Sequence, residues 1–369
     1  MNKGVTRFSL AALTALCMGV VAPAHAVDVK AGNWDLSFSG NVNAFATYQV
    51  CGVSAATGGS NDDSITGVPI ACTRAKDEPN RFAIESGLLP SAFVFTAKTR
   101  AYDLDVSATV SFWPGLHVAD TRTGNAQNAD FSADMRQNFL TFGDASWGTV
   151  KLGKDLGVFG GDAILSDMTL LGVGAGASGI LNHNVTIGHI GTGYIYADWI
   201  PQITYISPNF GGAQLTIAAI ESFRLSATQG GVTANGVNWL PGVQAKVTYD
   251  LAGGMGRIWA GGMWQNVKSD IAVPTATDPE NHPTLNSYAG ELGAKVNISG
   301  LQPMVYGYIG KGIGTTLIGL DAVAGLNSNA EVEGRTSYGW FAQVTYQIPN
   351  TKFRPGISWG MSYLNQNTD

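Results

Sequence analysis

Trp34-Asp35-Leu36-Ser37-Phe38-Ser39-Gly40-Asn41-Val42-Asn43-Ala44-Phe45-Ala46-Thr47-Tyr48 alternates along its whole length. One phase reads Trp34, Leu36, Phe38, Gly40, Val42, Ala44, Ala46 and Tyr48; the other is mostly Asp, Ser, Asn and Thr. Period two is the signature of a strand with unlike faces. A globular strand usually runs about 5 to 6 residues, whereas a tilted strand crossing an outer membrane needs about 9 to 11 and can project beyond it. Aromatics at both ends, Trp34 and Tyr48, suit the two interfacial girdles of such a wall.

The pattern returns down the chain. Leu104, Val106, Ala108, Val110 and Phe112 alternate with Asp105, Ser107, Thr109 and Ser111, and the run stops at Trp113-Pro114-Gly115. Similar runs surround Leu215, Val243, Leu292, Trp340 and Trp359. Five segments alternate less cleanly: 91–100, 134–142, 200–207, 257–265 and 302–310. Contact with a neighbouring barrel is the expected reason for that blur. Short connections, such as 101–103, 252–256 and 299–300, alternate with long ones, such as 49–80, 113–133 and 312–334. That sorting is expected when tight turns occupy the periplasmic rim of a barrel and longer loops the outer rim. The count reaches about thirteen strands, an odd number for an up-and-down barrel.

Composition agrees. Charged residues make up 13% of the chain, against about 25% in ordinary soluble domains. Glycine contributes 48 of 369 residues. Beyond residue 26 no apolar run reaches the roughly 18 residues of a spanning helix. An antiparallel transmembrane β-barrel satisfies all three observations, because its apolar residues are spread over every second position.

Residues 1–26 read as a signal peptide: Lys3 and Arg7, an apolar run from Phe8 to Val21, then Ala24-His25-Ala26 as the cleavage site. Cys17 lacks the preceding small residue of a lipoprotein site. Removing the leader takes the net charge from −6 to about −8, which argues against nucleic acid as a partner. In an exported chain Cys51 and Cys72 are a candidate disulfide, and without nearby histidines they are a poor metal site. Neither a metal nor an organic cofactor is expected. A Ser/His pair on the lipid-facing wall would be needed for a barrel lipase, and His117, His183, His189 and His282 all fall in loops, so no enzymatic role is expected.

Residues 148–198 are the exception to the pattern. A short strand, Thr149 to Lys154, is followed by roughly forty residues without sustained period, far beyond an ordinary connection of about 12 to 15. The stretch is too rich in Ile, Leu, Val and Tyr to be a solvated linker. Gly172-x-Gly174-x-Gly176 within it lacks the Gly-Lys-Ser/Thr of a phosphate loop.

At these residues the chain resembles the Gram-negative trimeric porins, the general diffusion channels of about sixteen strands. Gly148-Thr149-Val150-Lys151-Leu152-Gly153-Lys154 is similar to the family's Gly-x-x-x-x-Gly-Arg strand, with lysine for arginine. Phe159-Gly160-Gly161-Asp162 resembles the Phe-Gly-Gly-Asp core of its constriction loop. Arg136 and Tyr205-x-Ser207-Pro208 match the strand arginine and the motif ending the strand after the loop. The resemblance implies a porin domain over 27–369 with a constriction loop at 155–198. It implies a homotrimer in the outer membrane, in contact with its lipid and lipopolysaccharide, passing small hydrophilic solutes and ions by diffusion. A solute-selective channel for anions or sugars is the alternative, and an adhesive barrel a more distant one. Family members end on an aromatic strand, whereas this chain reads Leu364 to Asp369, so three strands are expected to be missing.

The resemblance also assigns a site. Asp155, Asp162 and Asp167 of the loop, with Phe159, Gly160 and Gly161 turning it, are expected to face Lys98, Arg136, Lys151 and Lys154 of the wall across the bore. Asp162 in particular is expected opposite Arg136 and Lys154. Opposed charges across a narrow opening set up a transverse field that orders water and favours polar solutes. Lys246, Arg257 and Lys295 are either selectivity residues or simply solvated lumen residues.

Overall fold

The computed structural model describes residues 27–50, 80–116, 133–176, 185–223, 226–229, 232–237, 239–269, 278, 280–320, 322–326 and 332–365. The signal-peptide segment 1–26 and the Cys51 and Cys72 pairing lie outside the described residues.

The strands are β1 (Val27–Ala31), β2 (Trp34–Asn41), β3 (Phe45–Val50), β4 (Asn80–Glu85), β5 (Ala92–Ala101), β6 (Leu104–Pro114), β7 (Ala133–Asp134), β8 (Asn138–Asp144) and β9 (Gly148–Leu156). A single α-helical turn and a half, α1 (Gly161–Ser166), follows. Then come β10 (Trp199–Ile206), β11 (Ala213–Ile220), β12 (Ser226–Gln229), β13 (Val232–Val237), β14 (Gly242–Leu251), β15 (Gly256–Ser269), β16 (Thr284–Val296), β17 (Leu301–Lys311), β18 (Val323–Leu326), β19 (Val332–Gly334), β20 (Thr336–Tyr346) and β21 (Gly356–Leu364). Fourteen of these form one large antiparallel sheet, in which each strand pairs with the next wall strand along the chain. β3–β4 prolongs the β2–β5 hairpin, while β12–β13 and β18–β19 are small hairpins within the long connections.

The count of thirteen misses β1. Val27-Asp28-Val29-Lys30-Ala31 is short, carries two charges and abuts the expected cleavage site, so its alternation is hidden. It pairs with β2 from Val27↔Phe38 to Ala31↔Trp34 around Gly32, whose φ of 63° makes the tight turn. Among the described residues the wall therefore has fourteen strands.

The wall is apolar outside and polar inside. Phe38, Phe95, Leu140, Ile203, Val247, Leu292, Val305, Trp340 and Ile357 stand exposed on the outer phase. Ser111, Gln202, Thr204, Gln244, Gln265, Glu291 and Gln343 are buried on the inner one. That inversion is stable only where lipid covers the outside and polar groups inside find partners.

The sheet curls around residues 157–176 and 185–198. Near its first strands, Leu89 N–H donates to Leu170 O and Thr186 N–H to Ser86 O, each at 2.9 Å. On the last strand, Ser358 Oγ lies 2.8 Å from His189 Nε2 and Ser362 Oγ accepts from Gly193 N–H at 3.0 Å. Segments at both sides of the sheet thus meet the same loop, which requires the sheet to curve around it: the fold is an antiparallel β-barrel with its long segment inside.

Two of the blurred segments, 257–265 and 302–310, carry apolar side chains on their inner phases that seat the loop. Trp259 and Met263 on β15 and Met304, Tyr306 and Tyr308 on β17, together with Phe341 on β20, belong to one buried cluster with Phe159, Ile164, Ile190, Tyr194 and Ile195 of the loop. Three of these side chains lie against a glycine directly across the ladder. Trp259 pairs with Gly293, Tyr308 with Gly339 and Phe341 with Gly360. A Cβ at these three glycines would come within 2.1, 2.6 and 2.6 Å of the facing side chain, respectively. The rings of Trp259, Tyr306 and Phe341 form a continuous terrace, with centroids 6.4 and 5.8 Å apart, a spacing at which aromatic pairs attract. Over β15 to β20 the inner face is therefore not uniformly wet.

Candidate functional site of the inserted loop

After β9 the chain leaves the wall at Gly157 and turns at Gly160, whose φ is 77°. Gly161 already belongs to α1. The two glycines are not equivalent: a Cβ at Gly160 would sit 3.0 Å from Ile195 O in a left-handed backbone, whereas one at Gly161 meets nothing nearer than 3.8 Å. Gly160→Ala is expected to destabilise the loop by about 1–2 kcal/mol from backbone conformation alone. Gly161→Ala, which gains helix propensity, is expected to be neutral or slightly stabilising. Thermal unfolding followed by the shift in gel mobility checks both; equal melting temperatures for the two variants would contradict this account.

α1 presents Asp162 to the wall. Its Oδ2 contacts Lys246 Nζ on β14, and its Oδ1 lies 3.3 Å from Arg257 Nη1 on β15. Arg257 is held in turn by Asp250, with Nε–Oδ1 at 2.6 Å and Nη2–Oδ2 at 2.9 Å. The expected pairing of Asp162 with Arg136 and Lys154 is thus corrected. The resemblance had pointed to the strands just before the loop, but the loop docks on strands that follow it.

The other expected residues have local partners. Asp155 pairs with Lys151 four residues earlier on the same strand and accepts from Gln137 Nε2 at 3.3 Å. Asp167 is 3% exposed and braces the loop internally, accepting from Thr169 N and Oγ1, His189 N and Tyr194 Oη at 2.8 to 3.0 Å. Arg136 bonds Asp134 at 2.9 Å and lies over the Trp113 ring, 4.9 Å from its centroid. Lys154 lies 3.8 Å from Asp134 and shares the phase of Leu152, opposite to Lys151. Burial raises the Asp198 carboxyl at the end of the loop above the ordinary aspartate value, while the Trp199 N–H and the charges of Lys154 and Arg136 oppose the shift. Lys98 and Lys295 have no ion pair among the described residues. The loop carboxylates are therefore spent on contacts beside them and not held apart across the opening. Among the described residues no cluster suits a metal ion.

Three wall residues escaped the sequence reading. Gln244 Oε1 accepts from Val158 N–H and Phe159 N–H at 2.7 and 3.0 Å, Glu291 Oε2 from Gly160 N–H at 2.8 Å, and Gln343 Oε1 from Met168 N–H at 2.9 Å. Their one signal is a long polar side chain in the inner phase near mid-strand. Nothing in spacing says that a backbone segment will arrive to meet it.

A family profile described as Gram-negative porin matches residues 12–369. The chain belongs to the Gram-negative porins. The outer membrane channel DcaP of Acinetobacter baumannii is similar in structure, with a TM-score of 0.62 and 15% identity over 92% of this chain and 81% of that one. OmpT of Vibrio cholerae, in its trimer form, aligns with a TM-score of 0.41 and 12% identity over 90% of this porin and 89% of that chain. No curated protein sequence matches. The membership makes this porin a channel-type protein of the outer membrane and accounts for a wall that is apolar outward and polar inward.

Proposed function

We propose that this porin is a water-filled channel for passive diffusion of small hydrophilic solutes and ions, narrowed by residues 155–198, and that it works as a homotrimer among outer-membrane lipid and lipopolysaccharide. The observation that carries this is a polar inner wall with a long segment folded against it from the inside. Such a lumen has no role in a barrel that only adheres. Residues 1–26 act as its export signal. Purified protein added to a planar bilayer is expected to give stepwise, ohmic conductance increments; a silent bilayer would refute the proposal.

A preference for anions is favoured by one further observation. Asp155, Asp162 and Asp167 are neutralised or enclosed, while Lys98 and Lys295 are unpaired among the described residues. Fixed positive charge in a narrow opening concentrates anions. In a KCl gradient the reversal potential is expected to lie toward the chloride equilibrium, and Lys98→Gln combined with Lys295→Gln is expected to move it toward potassium. A reversal potential on the potassium side for the unaltered porin would exclude this preference.

A further inference from the structure

We propose that residues 312–320 are a second inserted loop, an uncharged lip that sets the size limit of the channel while the charges around Asp162 set its ion preference. The proposal rests on the reading of this porin as a channel.

The chain turns inward directly after β17. Gly310 pairs with Ala289 of β16 on the inner phase, and Ile313 lies over it: a Cβ at Gly310 would come within 2.6 Å of Ile313 Cδ1. Ile313 and Ile318 are buried in the cluster that holds Ile187, Ile190 and Tyr194 of the first loop. The two loops also meet through backbone. Tyr196 N–H donates to Thr316 O at 2.9 Å, and Tyr196 and Leu317 form a parallel bridge. Where Thr316 presses on the first loop that loop has Gly191, whose Cβ would come within 2.9 Å of Thr316 Oγ1.

The lip is built to keep its shape. Gly319 N–H donates to Ile313 O and Leu320 N–H to Leu317 O, each at 3.0 Å. Gly314, with φ of 77°, permits this closure, since a Cβ there would sit 1.7 Å from Leu320 O. Gly312 N–H donates to Arg335 O at 2.9 Å and Arg335 N–H to Ala322 O at 2.8 Å, so one backbone residue pins both ends. Compact loops with close ends, packed by their own side chains, are frequently functional.

Two observations set the lip apart from the charge site. No residue from Gly312 to Leu320 is charged; Ile313, Thr316 and Ile318 are buried, which leaves half-buried Thr315, Leu317 and Leu320 at its surface. In register, Lys246, Gly261, Glu291 and Tyr308 stand at one level, and Gly310, beneath Ile313, lies two residues farther toward the long connections. A solute thus meets an uncharged narrowing and a charged one in succession, and only the second discriminates by charge.

Three variants test the proposal in planar bilayers and in liposomes swelling with glucose, sucrose or raffinose: Gly-Ser-Gly in place of residues 313–320, Leu317→Ala and Leu317→Trp. The pinned ends are about 10 Å apart, two strand spacings, which the short linker spans. The linker variant and Leu317→Ala are expected to raise single-channel conductance and to shift the ratio of raffinose to glucose entry upward. Leu317→Trp is expected to lower both. All three are expected to keep the reversal potential of the unaltered porin in a KCl gradient. Unchanged conductance and sugar ratios in both Leu317 variants would overturn the proposal, as would a reversal potential that moves with the lip. Should the linker variant fail to insert, the Leu317 variants decide the matter by the same readouts. A silent unaltered protein would instead refute the channel reading itself.

Discussion

Asp162→Asn is expected to move the reversal potential further toward chloride and to lower the stability of the docked loop. Lys246 and Asp162 have side chains only 14% and 12% exposed, so the pair is largely withdrawn from water. Breaking such a pair from one side leaves the other charge uncompensated and costs about 3–5 kcal/mol when burial is deep. Lys246 bears that loss, because Arg257 keeps its two bonds to Asp250. The Arg257–Asp250 pair is itself half exposed and adds little, about 0–1 kcal/mol. A double-mutant cycle separates charge from shape. Lys246→Met alone is expected to destabilise, and Asp162→Asn with Lys246→Met to recover most of the combined loss, with a coupling of roughly 1–3 kcal/mol. Additive effects, together with an unmoved reversal potential, would show that the contact between α1 and β14 is incidental.

The second large effect lies in the wall. Gly293→Ala is expected to destabilise the barrel by about 1–3 kcal/mol, the usual cost of overpacking. The added methyl would enter the Trp259 ring at 2.1 Å, and Trp259, 1% exposed beneath the loop, has nowhere to move. Gly290→Ala on the same strand is the control, since its Cβ would meet nothing nearer than 3.9 Å. Combining Gly293→Ala with Trp259→Leu, which vacates the space, is expected to cost less than the two separate losses together. Unfolding in urea followed by tryptophan fluorescence and by gel mobility measures all of these. If Gly290→Ala and Gly293→Ala proved equally tolerated, the seating of rings on glycines would not contribute to this wall.

Both predictions concern residues whose neighbours are far away in the chain, and here the reach of the sequence changes. Trp34 to Tyr48 and Leu104 to Phe112 announce their strands because one face meets lipid and the other polar surroundings, so a single physical contrast is written at every second residue. The short turns and long loops follow from the same wall. The Phe159-Gly160-Gly161-Asp162 stretch marks a chain that must bend sharply, and only Gly160 needs the left-handed conformation. Arg257 to Gln265 and Gln302 to Gly310 do not announce themselves, because Trp259, Met263, Tyr306 and Tyr308 make their inner face apolar as well, and alternation vanishes when both faces are greasy.

The amino-acid sequence by itself determined that this protein is a barrel of alternating strands with one long inserted segment, since lipid on one side and polar groups on the other impose a local, repeating demand. It could not determine where that segment docks. Asp162 meets Lys246 and Arg257, and Gly160 meets Glu291, across separations of 84, 95 and 131 residues. The curvature of the wall decides which inner-facing side chains stand within reach, and a pairing set by curvature leaves no period or spacing in the chain.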